Sequence, residues 1–291
     1  MKKKCLAALL AAGMTTGMLA GSVQAAEQDT EGKELSGEVY VFIAASLSNA
    51  MEEIQKNFNE QYPDVEILYN ADSSGTLQTQ IEEGSRCDIF FSAATKQMDA
   101  LVEEGLADEG TVVDLLENKV VLIKPKDGDT AVTGFENITD AKNLALAGDS
   151  VPVGQYAREI FTNMGIMEEV EGMEINEGKN VTEVLAAVSE GSNEAGVVYA
   201  TDAASVADSV EIIAEAPAES LQTPVLYPVG MIEDQEASEE ERAAAEEFLT
   251  YLQSEEALAV FEEYGFTPNT ADDTQEASEE TKEEAAEETA E

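Results

Sequence analysis

The sequence has no histidine and no tryptophan, two cysteines, and 15 lysines and arginines against 62 aspartates and glutamates in 291 residues. Without histidine there is no imidazole metal ligand, no Ser-His-Asp or Cys-His nucleophile system, and no ordinary base near neutral pH. A conventional hydrolase is therefore disfavoured. Of the cysteines, Cys5 lies in the leader and only Cys87 remains once the leader is removed, so no internal disulfide is expected even though export would permit one. The formal net charge of −47 excludes nucleic acid as a partner, because phosphates would be repelled. The spaced Asp/Asn loop of a calcium site is missing as well. None of these absences prevents the capture of a small anion by local dipoles rather than net charge.

At the amino end, the lysines at 2 to 4, the apolar stretch from Leu6 to Leu19 and the small-residue site Val23-Gln24-Ala25 read as a cleaved export signal over 1–25. Ser22 follows Leu19-Ala20-Gly21, where a lipid-anchored protein would carry cysteine, so the expected product is exported, periplasmic or extracytoplasmic, and soluble. Residues 26–35 read as a flexible lead-in, and 269–291 as an acidic tail too poor in apolar residues to order itself.

Between these ends 43% hydrophobic composition supports two medium domains. Strand-like runs are expected at 38–44, 65–70, 88–92, 118–124, 144–147, 195–199, 210–214 and 225–232. Helical spacing occurs at 47–60, 76–84, 95–105, 111–117, 154–164, 180–190, 200–206, 239–252 and 255–264. Such alternation predicts an α/β fold with mainly parallel sheets flanked by helices. The chain looks to leave one lobe around Asn118 and to return through "LQTPVLYPVGMI", giving lobe 1 over 36–117 plus 226–268 and lobe 2 over 118–225.

Four joins between an extended run and a helix share one grammar. In "VYVFIAASLSNAMEEI" the strand gives way to Ala44, Ala45 and Ser46, with Ser46 expected at a helix N-cap. Ser73, Ser74 and Gly75 follow "VEILYNAD", Pro152, Val153 and Gly154 follow "LALAGDSV", and Asn180 and Val181 open a fourth helix. Open α/β sheets bind ligands at the carboxyl ends of their strands, and helix starts placed there offer unpaired amides to an anion. Each residue alone has a plainer reading: Ser46 as a cap, Tyr199 as a core tyrosine, Val153 and Val181 as packing residues, Cys87 as a small buried residue.

The stretches "FIAASLSNAMEEI", "DSSGTLQTQIEEG", "DIFFSAATKQMDALVEEG", "VPVGQYAREIF", "AGVVYATDA" and "YLQSEEALAVFEEYGF", in this order from about Val39 to Phe266, resemble the periplasmic molybdate-binding proteins of ABC importers. That resemblance implies a two-lobed periplasmic-binding-protein fold of type II with the ligand in the interlobe cleft. It implies an oxyanion, molybdate or tungstate, held by neutral groups alone: the hydroxyls of Ser46 and Ser74, the amides of Val153 and Val181, and the phenol of Tyr199. It further implies a monomer that delivers its ligand to a membrane ABC permease, with no cofactor and no enzymatic step. Two departures from the family pattern are Val153 in place of the usual alanine and a short "GDSVP" loop. The alternatives are a receptor of the same fold for sulfate, phosphate or a carboxylate, an enzyme using Asp72 or Asp149 as base, and an acidic divalent-metal module.

Overall fold

The computed structural model describes residues 35–233 and 237–269, and the expected signal over 1–25, the lead-in up to 34 and the tail from 270 lie outside these. The described chain is one compact unit. It opens on β1 (Gly37–Ala44), whose Val39, Val41, Phe42, Ile43 and Ala44 are all buried. A strand buried on both faces belongs in the middle of a sheet. Accordingly β1 pairs in parallel with β2 (Val65–Asp72) on one side and β3 (Ile89–Phe91) on the other. After a 3-10 turn over Ala45–Leu47, α1 (Ser48–Gln61) lays Ala50, Met51, Ile54 and Phe58 against the sheet. Pro63 forbids its continuation, since the residue before proline is driven out of the helical region, and Tyr62 leaves at φ −126°.

Two more helices, α2 (Ser74–Glu82) and α3 (Thr95–Glu103), follow β2 and β3. Then comes β4 (Val113–Asn118), and after Lys119 alone, β5 (Val120–Pro125). These two strands belong to different sheets, so Lys119 is where the chain crosses from one to the other. The second sheet is completed by β6 (Asn143–Ala147), β7 (Glu174–Gly178), β8 (Ala195–Tyr199) and β9 (Val210–Glu215), in the order β7-β6-β8-β5-β9. Around it lie α4 (Pro152–Asn163), α5 (Met167–Glu171), α6 (Val181–Ser189) and α7 (Ala200–Ser205). The chain returns through β10 (Val225–Met231), and α8 (Glu239–Leu252), α9 (Glu255–Glu263) and β11 (Thr267–Pro268) close the first sheet, ordered β11-β4-β10-β3-β1-β2.

The protein is thus a two-lobed α/β fold, with three differences from the sequence reading. Residues 111–117 do not form a helix: a 3-10 turn over Glu109–Thr111 leads into β4, paired antiparallel to β10 and β11. Val112, Leu115 and Leu116 mimic helical spacing, but a slot between two strands with open ladder groups outweighs that weak local preference. Each sheet is also mixed rather than mainly parallel. The βα units pair in parallel, whereas β4, β5, β9, β10 and β11, the strands at and after the crossing, pair antiparallel. A chain that passes straight from one sheet to the next and back cannot supply right-handed helical crossovers there. The sequence reading also passes over β7, a polar edge strand of largely exposed residues with no apolar run to signal it.

The two lobes touch at Gly75, where a Cβ would lie 2.0 Å from the Ser150 carbonyl oxygen. Only glycine fits this approach. Gly75→Ala should hold the lobes apart while raising the intrinsic preference of α2 by up to ~1 kcal/mol. A larger radius of gyration in small-angle scattering with unchanged circular dichroism is the expected result; an unchanged radius would remove Gly75 as the contact that limits closure.

Candidate functional site

The carboxyl ends of six strands face one another across the lobes, and residues at or just beyond each end line one small cavity. From the first sheet come Ser46 after β1, Ser74 after β2 and Ala93 after β3; from the second, Val153 after β6, Val181 after β7 and Tyr199 at the end of β8. All five residues singled out in the sequence therefore meet at one place. Its free volume is about 10 Å³, roughly the room of one water molecule, so the walls of the site are drawn together here.

Ser46 does not cap a helix, contrary to expectation. Ala44 stands at that position and Ser46 lies inside the 3-10 turn, its hydroxyl bonded to the Tyr227 hydroxyl at 3.0 Å. The turn displaces the cap because β1 runs into the helix without an intervening loop. At α2 the cap is Ser73, whose Oγ accepts from the Thr76 amide at 3.2 Å. That leaves Ser74, fully buried in the first helical position, to accept from the Ala93 amide at 2.9 Å. An oxygen engaged as acceptor in this way leaves its own proton to be donated elsewhere.

Pro152 opens α4, where its missing amide costs nothing, so the Val153 amide is among the first donors of that helix. Such early amides have no acceptor within the helix. Gly154 lets this start sit tightly on the end of β6, since a Cβ there would lie 2.2 Å from the Gly148 carbonyl oxygen. Asn180 caps α6 by accepting from the Glu183 amide at 3.0 Å, leaving the Val181 amide in first position. The Asn180 amide group also reaches the other lobe, donating to Asp72 Oδ1 at 3.2 Å.

Tyr199 is buried, and its hydroxyl donates to the Ala93 carbonyl across the lobes at 3.4 Å. Burial pushes its phenol well above the ordinary value, with the neighbouring Tyr227 adding to the effect. It is a donor at every physiological pH. Asp72 lines the cavity but its Oδ1 already accepts from the Ser73 amide at 2.7 Å and from Asn180, while Asp149 lines a separate surface cavity. The lining includes no lysine and no arginine. Among the described residues, no group of three or more His, Cys, Asp or Glu side chains could hold a metal ion. What the cavity offers is a set of neutral donors converging from two lobes.

An interlobe cavity of this kind defines a two-lobed solute binder. The bacterial extracellular solute-binding protein family matches residues 39–267, and the chain belongs to that family. It is 39% identical over 257 residues, 88% of this chain and 96% of the relative, to YvgL of Bacillus subtilis, provisionally described as an ABC transporter substrate-binding lipoprotein. It is 35% identical to the molybdate-binding protein ModA of Haemophilus influenzae over 80% of this chain and 91% of the relative. Among solved structures, the substrate-binding domain of a provisionally assigned molybdenum ABC transporter from Clostridium difficile superposes with a TM-score of 0.61 at 35% identity, over 80% of this chain and 99% of that one. No helix among the described residues is long and apolar enough to cross a membrane.

Sequence reasoning missed the residues behind the cavity wall. Tyr227 and Asn118 carry hydrogen bonds beneath Ser46, and nothing local in their strands sets them apart. It also missed Asp202, buried beneath Tyr199, whose Oδ2 accepts the Tyr199 amide at 3.2 Å. Burial raises its carboxyl from 3.8 to about 7, against that amide bond, which pulls the other way. Between about pH 4 and pH 7 the folded protein therefore keeps a proton that the unfolded chain has released, so this group's contribution to stability is greatest below that window and is lost as pH rises through it. Asp202→Asn keeps an acceptor for the amide and should flatten the fall in unfolding free energy across the window. Urea midpoints measured at several pH values would show it; parallel curves for both proteins would refute the assignment.

Proposed function

We propose that this protein captures molybdate, and tungstate with it, outside the cytoplasm and presents it to a membrane ABC permease. The observation that carries the reading is the convergence of Ser46, Ser74, Val153, Val181 and Tyr199 on one small cavity with no basic side chain in its lining. The relatives named for molybdate support the choice of ligand. In this reading lobe 1 spans 36–118 plus 225–268 and lobe 2 spans 119–224, each boundary one residue from the sequence expectation because β4 runs to Asn118 and β10 starts at Val225, and the bound ion is the bridge that makes the closed arrangement the stable one.

A dianion with no proton accepts from every donor at once. Hydrogen bonds to a charged group are each worth roughly 1.5–3 kcal/mol, so a handful of neutral donors is enough for tight binding without a counter-charge. Hydrogen phosphate would bring a hydroxyl that needs an acceptor among groups that are mostly donors, and sulfate is too small for fixed donors on both lobes to reach together. The acidity of the chain as a whole is then no obstacle, because the field at the ion comes from groups within a few ångströms.

Titration calorimetry with molybdate, tungstate, sulfate and phosphate should give tight one-to-one binding for the first two and none for the others. Ser46→Ala and Tyr199→Phe should each weaken molybdate binding by roughly 10- to 100-fold with the fold intact. Full affinity in both variants would remove the site assignment; tight sulfate or phosphate binding would keep the site and replace the ligand.

A further inference from the structure

Tyr227 stands outside the five residues of the cavity, fully buried in β10, yet its hydroxyl is 3.0 Å from Ser46 Oγ. Distance alone leaves open which of the two hydroxyls donates. The surroundings decide it. The Lys119 amide can only donate, and its 2.8 Å bond to Asn118 Oδ1 fixes which way the Asn118 side chain faces. Asn118 Nδ2 is thereby turned to Thr201 Oγ1 at 2.9 Å and to the Tyr227 hydroxyl at 3.2 Å. An amide nitrogen donates, so the Tyr227 oxygen is an acceptor on that side.

The Tyr227 proton then has Ser46 Oγ as its acceptor. Were Ser46 the donor instead, the buried phenol proton would be left to the more distant Tyr199 hydroxyl, a poorer partner than Ser46 Oγ at 3.0 Å. Ser46 Oγ accepts from Tyr227, and its own proton must point elsewhere, into the cavity that it lines. Ser74 is held with the same polarity by the Ala93 amide.

We propose that Tyr227 is a positioning residue that sets the proton polarity of the site, the series Lys119 amide, Asn118, Tyr227, Ser46 aiming the Ser46 proton at the bound ion. This rests on the reading of Ser46 as a ligand-binding residue. Its consequence is selectivity: a hydroxyl that presents its proton to the ion meets the proton of hydrogen phosphate or hydrogen arsenate head-on, while an oxyanion with no proton loses nothing. The series starts at Lys119, the single residue between the two sheets, and Asn118 simultaneously holds Thr201 of the second lobe. The polarity of the ligand site is thus tied to the geometry of the crossing.

The test is a double-mutant cycle between Tyr227→Phe and Ser46→Ala, read by calorimetric titration with molybdate, tungstate, sulfate and phosphate. Phenylalanine keeps the ring that packs edge-on against Tyr199 and Phe266, and thermal melting checks that the fold is retained. Tyr227→Phe alone should weaken molybdate binding by about tenfold and narrow the preference for molybdate over phosphate. In the Ser46→Ala background the same change should cost less than about twofold, because the residue through which Tyr227 acts is gone. Equal losses in the two backgrounds would show a packing role and overturn the proposal, as would an unchanged affinity and preference in Tyr227→Phe. If that variant does not fold, Asn118→Ala frees the same polarity and must show the same dependence on Ser46. Failure of the unmodified protein to bind any of the four ions would instead sink the underlying site reading, a separate and recognisable result.

Discussion

The proposed function sets one constraint on this structure: a charge has to be held without a counter-charge. A chain of net charge −47 has no basic residue in the lining of its interlobe cavity, so whatever attracts an anion there must be built from backbone amides and hydroxyls. Such groups are useful only if they are unpaired, buried and aimed at one point. Helix starts provide unpaired amides, and the carboxyl ends of strands provide a place to put them. One sheet presents such ends in one direction only, whereas two sheets facing each other can surround a point.

The facing of the sheets depends in turn on how the chain passes between them. β4 and β5 are separated by Lys119 alone, and β10 comes back alongside β4 with Val225 opposite Asn118. This is why the sheets are mixed. The strands that make the passage run antiparallel, and the strands that carry the site run parallel to one another within each sheet. Parallel pairing brings neighbouring carboxyl ends to one edge, and that edge is where Ser46, Ser74, Val153 and Val181 sit.

Most of the site could be read from the sequence because its members announce themselves locally. A β-rich run followed by small or capping residues and then by helical spacing is visible at all four joins, and glycine at 75 and 154 marks where backbone comes close to backbone. What could not be read was anything decided across the fold. Residues 111–117 looked helical because Val112, Leu115 and Leu116 have helical spacing, and the place of β4 between β10 and β11 is a property of strands far away in sequence. Ser46 looked like a cap because serine after a strand usually is one, and the partner that claims its hydroxyl instead, Tyr227, lies 181 residues on. Asp202 gave no sign of its burial, since a buried carboxylate and a surface one are written the same way.

The contact of Gly75 with Ser150 has a bearing on time as well as on affinity. With the lobes this close, Tyr199 and Asn180 are each bonded across the gap, to Ala93 and Asp72, and these bonds must part before the lobes can open. An ion enclosed there leaves no faster than the lobes separate. Residence time is then a property of the whole molecule's opening rather than of any single bond to the ion, and a partner that pries the lobes apart would release the cargo without having to compete for it.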